Sequence, residues 1–259
     1  PFARYIEPQV EQAAFDVLSA CGYDVHVLPI IGAGASLFSK GFIDAAKRHA
    51  GKVLDALKQI DPEIDAVIVG IEPPEIYTLK HDYLDLLPDR ADEIASVSAR
   101  AWLLDEYLLR SDSFSSLRVG TLGNIDKFDI GNQRIKFQPH CHQRAEGLSS
   151  DGFPNGVNAT VELLHSCGYN VDLLDTGCCG MAGTFGYEAE HYELSMQVGA
   201  LKLFPEIRAH SENEDLVVAS TGAACRMQIQ QGTGVNAVHP IVLVRDALLN
   251  VLSRKNMSN

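Results

Sequence analysis

Three absences narrow what this sequence can encode. It has no run of lysine and arginine, and its 259 residues carry a formal net charge of −13, which argues against a nucleic-acid-binding surface. It has no apolar run of the roughly 20 residues that a membrane-spanning helix needs. It has no export signal and opens at Pro1 rather than at a methionine. We therefore expect a cytoplasmic protein without a transmembrane segment, and a chain that is a piece of a longer protein.

Cysteine is also scarce. Six cysteines in a chain of this length are too few for a disulfide-stabilised scaffold. They cluster near glycine and histidine, which favours metal or redox chemistry in a reducing compartment. The hydrophobic content of 46% is enough for a sizeable core, and the length fits one large domain or two small ones.

Segments with strand and helix periodicity alternate along the chain. The stretch "EPQVEQAAFDVLSACGY" predicts a helix that ends at Gly22, and "DVHVLPII" predicts the strand after it. The stretch "DAVIVGI" predicts a buried strand, and "DRADEIASVSARAWLLDEYLLRS" predicts one long amphipathic helix. This alternation predicts an α/β fold with mainly parallel sheets.

The sequence also repeats itself. The stretch "VLSACGYDVHVLPIIGAGAS" aligns with "LLHSCGYNVDLLDTGCCGMA", with Gly22 matching Gly168 at an offset of 168 − 22 = 146. The stretch "DAVIVGIEPPEIYTL" aligns with "DLVVASTGAACRMQI" at an offset of 150. We therefore expect two similar lobes, residues 1–115 and 130–259, related by a pseudo-twofold repeat.

Three cysteines of the second lobe have no cysteine counterpart in the first. They are Cys178, Cys179 and Cys225, which align with Gly32, Ala33 and Glu75. Cys141 and these three each follow a predicted strand, and the carboxyl ends of parallel strands meet at one edge of a sheet. Four thiolates are the ligand count of a 4Fe–4S cluster. Capping or packing does not need cysteine at all these positions, so we predict one cluster, bound by these four residues.

Residues around the predicted ligands have supporting roles. Gly177, Gly180 and Gly183 let the backbone come close to the sulfur atoms, and amides that donate to sulfur raise a reduction potential. His140 and His142 flank Cys141; each of them packs or orients the site, or ligates a metal. Adjacent cysteines fit a cluster better than one tetrahedral zinc, because the peptide between them is short and stiff.

Other residues with possible metal chemistry have simpler interpretations. Cys21 and Cys167 lie at equivalent helix ends, where a buried core role is favoured over ligation. His239 precedes Pro240 and suits the start of a helix better than a metal site.

The first lobe is expected to bind no cluster. Its stretch "GAGASLFSKG" lacks the full spacing of a dinucleotide-binding loop. Its carboxylates Glu72 and Glu75 are either solvated or capping groups, or an altered metal site. We expect the small residues of the "GAGAS" turn to narrow the space that a second cluster would take.

Several motifs together resemble the CCG-domain family of iron–sulfur proteins. They are "QPHCHQRA", "LDTGCCGMAGTFGYE", "ASTGAACRMQI" and "GTGVNAVHPIVLV", with "ARYIEPQVEQAAFDVLSACGYDV" and "SLFSKGF" before them. The family includes the cysteine-rich subunit of heterodisulfide reductase and the iron–sulfur parts of glycolate, lactate and anaerobic glycerol-3-phosphate dehydrogenases. The resemblance covers nearly the whole chain and looks closest to the iron–sulfur halves of flavoproteins that oxidise D-2-hydroxy acids.

The resemblance implies a function and partners. It implies electron transfer from a flavin dehydrogenase domain or subunit, which holds FAD, toward a quinone or another acceptor. A ferredoxin-type iron–sulfur domain is a further implied partner, and such partners would bring the protein to a membrane surface. The chain shows no flavin-binding motif of its own, so we expect an oxidoreductase component that is inactive alone.

One departure from the family bears on the cluster type. Gln228 stands where some members have a fifth cysteine, three residues after the position of Cys225. This favours an ordinary four-cysteine cluster over the non-cubane type of heterodisulfide reductase. The alternative function is a docking or scaffolding module whose cysteine site is empty or holds zinc, and the brown colour of a cluster would distinguish the two.

Overall fold

The fold alternates helices with short strands. The computed structural model describes residues 2–29, 32–122, 133–209 and 216–257. The helices there are α1 (Phe2–Tyr5), α2 (Pro8–Ala20), α3 (Ala35–Ser39), α4 (Ile43–Ile60), α5 (Pro73–Tyr77), α6 (Tyr83–Leu86), α7 (Ala91–Ala99), α8 (Leu104–Arg110), α9 (Asp112–Leu122), α10 (Cys141–Ala145), α11 (Gly156–Ser166), α12 (Tyr192–Leu201), α13 (Leu203–Arg208), α14 (Ala223–Thr233) and α15 (Pro240–Met257). The strands are β1 (Ile68–Gly70), β2 (Ala101–Leu103), β3 (Arg134–Gln138), β4 (Asn170–Leu173) and β5 (Leu216–Ser220).

The strands form two small parallel sheets. Strands β1 and β2 pair in parallel from Ile68↔Ala101 onward. The other sheet has the order β4-β3-β5, and its central strand β3 is parallel to both neighbours. These sheets and the many helices confirm the predicted α/β class with parallel sheets.

The chain divides into two compact units. The first is His26–Leu104, and the second combines Phe2–Val25 with Asp105–Asn259. The first unit has its own apolar core, where the buried face of the amphipathic helix α4 packs near Tyr83 and Ile94. All six cysteines lie outside the residue range of the first unit.

The second unit includes the N-terminal helices. Pro8 begins α2 in a position that suits proline, because the first helical amides need no intrahelical partner. Glu7 just before it accepts hydrogen bonds from Nε and Nη2 of Arg226, a residue of α14 that is only 3% exposed. The same guanidinium donates to the carbonyls of Ser220 and Thr221. One arginine thus anchors the start of α2 to the turn between β5 and α14.

Two sequence-based predictions of single elements are wrong. The segment predicted as one long helix forms α7, β2 and α8 instead. The segment "DVHVLPII", as far as residues 24–29 are described, contains no strand. No helix among the described residues combines the length and the apolar character needed to cross a membrane.

Candidate metal centre

One cavity lies at the carboxyl edge of the β4-β3-β5 sheet. Its lining residues are Gln138, Pro139, His140, Cys141, Gly177, Cys178, Cys179, Ala182, Gly183, Ala224 and Cys225. All four cysteines predicted as ligands are in this set. Of the residues predicted to surround them, His140, Gly177 and Gly183 line the cavity, whereas His142 and Gly180 lie outside the lining.

The four thiols differ in exposure. Cys141 and Cys178 are exposed, whereas Cys179 and Cys225 are buried, at 5% and 4% exposure. The two buried cysteines belong to an apolar cluster with Leu174 and other core residues. The cavity therefore has an apolar floor and two thiols at its open side.

Hydrogen bonds between thiols, together with burial, raise the pKa of Cys178 and Cys179. Hydrogen bonds join the Cys179 thiol to those of Cys178 and Cys225. The hydrogen bond with Cys179 and burial raise the pKa of the Cys178 thiol well above its usual range. For Cys179, the hydrogen bond with Cys178 lowers the pKa, but the one with Cys225 and burial raise it by more. Thiols that resist ionisation beside one another become thiolates when a cation joins them.

Cys141 is the first residue of the short helix α10. His140 caps this helix. Its ring Nδ1 accepts from the backbone N–H of His142 at 3.2 Å, and its backbone N–H donates to Gln143 Oε1 at 3.2 Å. His140 Nδ1 also lies 3.8 Å from Cys141 Sγ. Burial of the ring lowers the pKa of His140 to about 3, so the imidazole is neutral at physiological pH.

The sulfur of Cys141 is close to both flanking imidazoles. The rings of His140 and His142 stack with 5.1 Å between centroids. One ligand atom from each of these three residues lies within 4.8 Å of the others. Desolvation by the cavity wall and the neighbouring Cys178 raise the pKa of the Cys141 thiol.

A buried polar network lies behind α10. Gln143 donates through Nε2 to Thr160 Oγ1 at 2.8 Å, and its Oε1 accepts from the Thr221 hydroxyl just before α14. The Thr160 hydroxyl donates to Asp105 Oδ2. Burial raises the pKa of Asp105 to about 7, and the adjacent Glu106 adds to the shift. This network connects the turn before Cys141 with the turn before Cys225.

The Cys178–Cys179 turn depends on glycine geometry. Gly180 has φ = +97°, a left-handed conformation that disfavours a side chain. Its N–H donates to Cys178 Sγ at 3.3 Å. On the other side of the turn, Gln138 Nε2 donates to Gly177 O at 2.9 Å and Gln138 Oε1 accepts from Thr176 Oγ1. Gln138, the last residue of β3, thus forms hydrogen bonds with both residues that come immediately before the cysteine pair.

The turn at residues 32–34 of the first unit, which the sequence alignment predicts to match the cysteine turn, holds a carboxylate. The backbone N–H groups of Ala33 and Gly34 donate to Glu75 Oε2. The buried Tyr83 hydroxyl donates to Ala33 O at 2.8 Å. A Cβ atom added at Gly32 would lie 3.0 Å from the Glu75 carboxylate. Glu75 thus binds the backbone amides of the turn before α3, although α3 itself has no side-chain cap.

The remaining predicted positions have structural roles. Cys21 and Cys167 end α2 and α11 outside the cavity lining, Cys21 half-buried and Cys167 fully buried. His239 accepts from the backbone N–H of Ile241 at 3.0 Å, which confirms its predicted role at the start of α15. Gln228 is buried and contacts Ser195 rather than lining the cavity.

Sequence reasoning missed the polar residues that support the cysteines. Gln138, Gln143 and Thr221 hold the cavity walls through partners that are distant in sequence. The spacing of His140 and Gln143 fits a capping box, and this was the one local signal available for them.

Comparisons with known proteins point to dehydrogenases. The chain is 25% identical over 252 residues to D-2-hydroxyglutarate dehydrogenase of Haemophilus influenzae, a match that covers 97% of this chain and 22% of that protein. It is 24% identical over 252 residues to the Escherichia coli K12 protein of the same name, again with 97% and 22% coverage. It is 26% identical over 249 residues to one subunit of the anaerobic glycerol-3-phosphate dehydrogenase of E. coli K12, covering 95% of this chain and 57% of that subunit. The chain thus spans about a fifth of the D-2-hydroxyglutarate dehydrogenases and over half of the glycerol-3-phosphate dehydrogenase subunit. No protein-family model matches it.

Proposed function

We propose that this chain is the iron–sulfur electron-transfer part of a flavin-linked oxidoreductase that oxidises a D-2-hydroxy acid. The observation that carries the proposal is that Cys141, Cys178, Cys179 and Cys225 line one cavity. Similarity over 97% of the chain to D-2-hydroxyglutarate dehydrogenases supports the reaction class. Similarity to one subunit of an anaerobic dehydrogenase supports a role as a component of a larger enzyme.

The donor set fits one 4Fe–4S cluster. Four cysteine sulfurs face a common space, and two of them come from adjacent residues, which a centre with several irons accommodates. A bound cluster supplies one-electron transfer. The chain supplies the thiolates of Cys141 and Cys178 at the open side and those of Cys179 and Cys225 at the apolar floor. This floor excludes water, and the Gly180 amide donates to sulfur; both features help to set the potential.

The resemblance to the CCG-domain family suggests the partners, and the similarity to one subunit of a larger dehydrogenase supports a catalytic partner. The flavin, FAD, would be bound by a dehydrogenase domain or subunit, and a ferredoxin-type iron–sulfur domain would be a further partner. Electrons would pass to a quinone or another acceptor, with the complex held peripherally at a membrane. The exposed thiols of Cys141 and Cys178 mark the side at which a redox partner would approach.

We also propose that the chain is a tandem CCG-domain repeat, in which residues 1–115 and 130–259 are similar lobes of a pseudo-twofold repeat. Paired features support the repeat. Gly22 and Gly168 have φ values of +84° and +89° after equivalent helices, and Gly34 and Gly180 have +94° and +97°. Glu75 and Cys225, which align, are each the third residue of a helix that follows a strand.

Anaerobic reconstitution tests the function. Purified chain treated with iron and sulfide should become brown, with about four irons and four sulfides per chain and a spectrum that dithionite bleaches. Serine in place of any one of Cys141, Cys178, Cys179 or Cys225 should lower the iron content. Cys21→Ser is the matched control, because Cys21 lies outside the cavity lining, and it should retain full loading. Full loading in all four ligand variants would contradict the proposal.

A zinc-binding docking module is the second candidate. The close approach of Cys141 to His140 and His142 favours it, because sulfur and imidazole nitrogen are good zinc ligands. In that case the protein should retain about one zinc per chain through anaerobic purification, remain colourless after iron and sulfide treatment, and lose the metal in a His142→Ala variant.

A further inference from the structure

Gln228 occupies a buried position behind the cysteine turn. It lies on α14, three residues after Cys225, and is 1% exposed. Its Nε2 donates to Ser195 O at 3.1 Å and to Ser195 Oγ at 3.0 Å. Ser195 is on α12 and is also 1% exposed. The amide therefore connects two helices in the interior, where an unpaired donor would be costly.

Ser195 also forms a hydrogen bond with the turn that contains the cysteine pair. Its hydroxyl donates to Gly180 O at 2.9 Å. A Cβ atom added at Gly180 would lie 2.1 Å from Ser195 O and 3.1 Å from Gln228 Nε2. The hydrogen bonds run in one direction, from the Gln228 amide to the Ser195 hydroxyl to the Gly180 carbonyl, and such chains strengthen one another.

The same glycine donates to a predicted ligand. The Gly180 N–H contacts Cys178 Sγ at 3.3 Å, so the orientation of residue 180 decides whether this hydrogen bond forms. Hydrogen bonds to cluster sulfurs are one of the features by which a protein sets the reduction potential. The Gly180 carbonyl and N–H belong to adjacent peptide units that meet at the Gly180 Cα. The Ser195 hydrogen bond to the carbonyl therefore restrains the backbone from which the N–H donates to Cys178.

We propose that Gln228 is a positioning residue that sets the reduction potential of the cluster: through Ser195 it holds Gly180 so that its N–H donates to the Cys178 sulfur. The inference rests on the proposed function, because it requires a cluster bound by the four cysteines. It also assigns position 228 a role other than that of a fifth ligand, since the side chain is directed to Ser195.

The test compares the reduction potentials of anaerobically reconstituted variants by redox titration monitored by electron paramagnetic resonance. Gln228→Ala should retain the iron content of the wild type but have a more negative potential. At a fixed potential, the ratio of reduced to oxidised cluster should fall about three- to tenfold, the size of one hydrogen bond's effect on an equilibrium. Gln230→Ala is the matched control, because Gln230 is an exposed glutamine on the same helix. A potential in Gln228→Ala equal to that of the control would overturn the inference.

Ser195→Ala provides an independent test with a smaller change in volume. It removes the hydroxyl that joins Gln228 to Gly180, so it should shift the potential in the same direction. Adding Gln228→Ala to it should produce less than the sum of the two shifts. If Gln228→Ala fails to fold, as judged by near-ultraviolet circular dichroism, an unchanged potential in Ser195→Ala overturns the inference on its own.

Gln228→Cys separates positioning from ligation. We expect it to hold the same number of irons as the wild type, with the resonance spectrum of an ordinary four-cysteine cluster. Extra iron or a new spectrum would show that position 228 reaches the cluster, which contradicts the inference. Wild-type protein that takes up no iron and sulfide would instead refute the proposed function, so the two failures are distinguishable.

Discussion

At the residue scale, the buried carboxyl of Asp105 makes stability depend on pH. Its pKa in the folded chain is about 7, raised by burial and by the neighbouring Glu106, whereas an unfolded aspartate titrates near 3.9. Between these values the folded state binds more protons than the unfolded state. The contribution of Asp105 to the free energy of unfolding therefore falls as pH rises from about 4 to 7, by up to about 1.4 kcal/mol per pH unit.

We predict that Asp105→Asn removes this dependence. The neutral amide can still accept from the Thr160 hydroxyl, so the variant should gain stability relative to wild type as pH rises from 5 to 8. Urea unfolding of the metal-free chain at several pH values measures the difference. Asp112→Asn, a change at an exposed aspartate, should track the wild type. A constant difference between Asp105→Asn and wild type across this range would refute the prediction.

Gly222 packs against His140, the histidine that caps α10. A Cβ atom there would lie 2.4 Å from Cδ2 of the buried His140 ring, although φ at Gly222 is an ordinary −85°. Gly222→Ala should therefore act by crowding alone, lowering the free energy of unfolding by about 1–3 kcal/mol. Gly147→Ala is the control, because nothing lies within 4 Å of its added Cβ. Equal stability of the two variants would contradict this account.

The sequence is enough to identify the four cysteines as candidate ligands, but not the buried polar residues that support them. Cys141, Cys178, Cys179 and Cys225 stand out because each follows a strand, and parallel strands bring their carboxyl ends together. The partner of Gln228 is 33 positions away, and no periodicity relates a buried amide to a distant serine. Polar contacts of this kind become visible only when the tertiary structure is known.

At the element scale, the turn at residues 32–34 is held by a side chain from α5. The Glu75 carboxylate accepts from two successive backbone N–H groups, the arrangement of an anion-binding nest. Tyr83 and His49 contact the carbonyls of Ala33 and Gly32, so the backbone is held on both its donor and its acceptor sides. The Glu75 carboxylate thus takes the place of the anion that a nest of this kind binds.

We predict that Glu75→Ala lowers the stability of the first unit by about 1–3 kcal/mol, because two inward amides lose their acceptor. Added formate or acetate should restore part of the loss by binding the vacated nest. Glu63→Ala, at an exposed carboxylate, should have little effect and no response to these anions. Thermal unfolding with and without formate gives the measurement; equal destabilisation by the two variants would refute the role assigned to Glu75.

Local periodicity mispredicts two elements because it does not show which strand a segment pairs with. Apolar residues at Ile94, Val97, Ala101 and Leu104 follow helical spacing, and all four are buried. Residues Ala101–Leu103 nevertheless pair with β1, since a short buried strand needs a neighbour for its backbone groups. Conversely, "DVHVLPII" alternates like a strand, but its residues 24–29 form no strand and pair with none of the described strands. Alternation alone does not supply the partner strand to which the backbone groups would hydrogen-bond.

At the scale of the whole molecule, the distribution of cysteines between the two compact units predicts how many iron atoms one chain binds. The first unit, His26–Leu104, contains no cysteine, and the four cysteines of the cavity all belong to the second. We expect about four irons per reconstituted chain. Cysteine introduced together at positions 32, 33 and 75 should leave this number unchanged, because three thiolates are one short of a cluster's usual set. About eight irons in the unmodified chain would require ligands other than cysteine in the first unit.

Metal loading should also stabilise one unit selectively. A ligand that binds only the folded state stabilises the elements that hold it, and opening of those elements becomes rarer. Hydrogen exchange of the metal-free and reconstituted chains should therefore differ in residues 138–145, 174–183 and 220–232. These three segments contain the predicted ligands and the residues next to them. Helix α4 of the first unit is the internal reference, and its exchange should be the same in both forms. New protection at residues 32–34 or 73–77 on loading would mean that the first unit takes part in holding the cluster. Unchanged exchange in all three segments of the second unit would mean that iron binds elsewhere than in the cysteine-lined cavity.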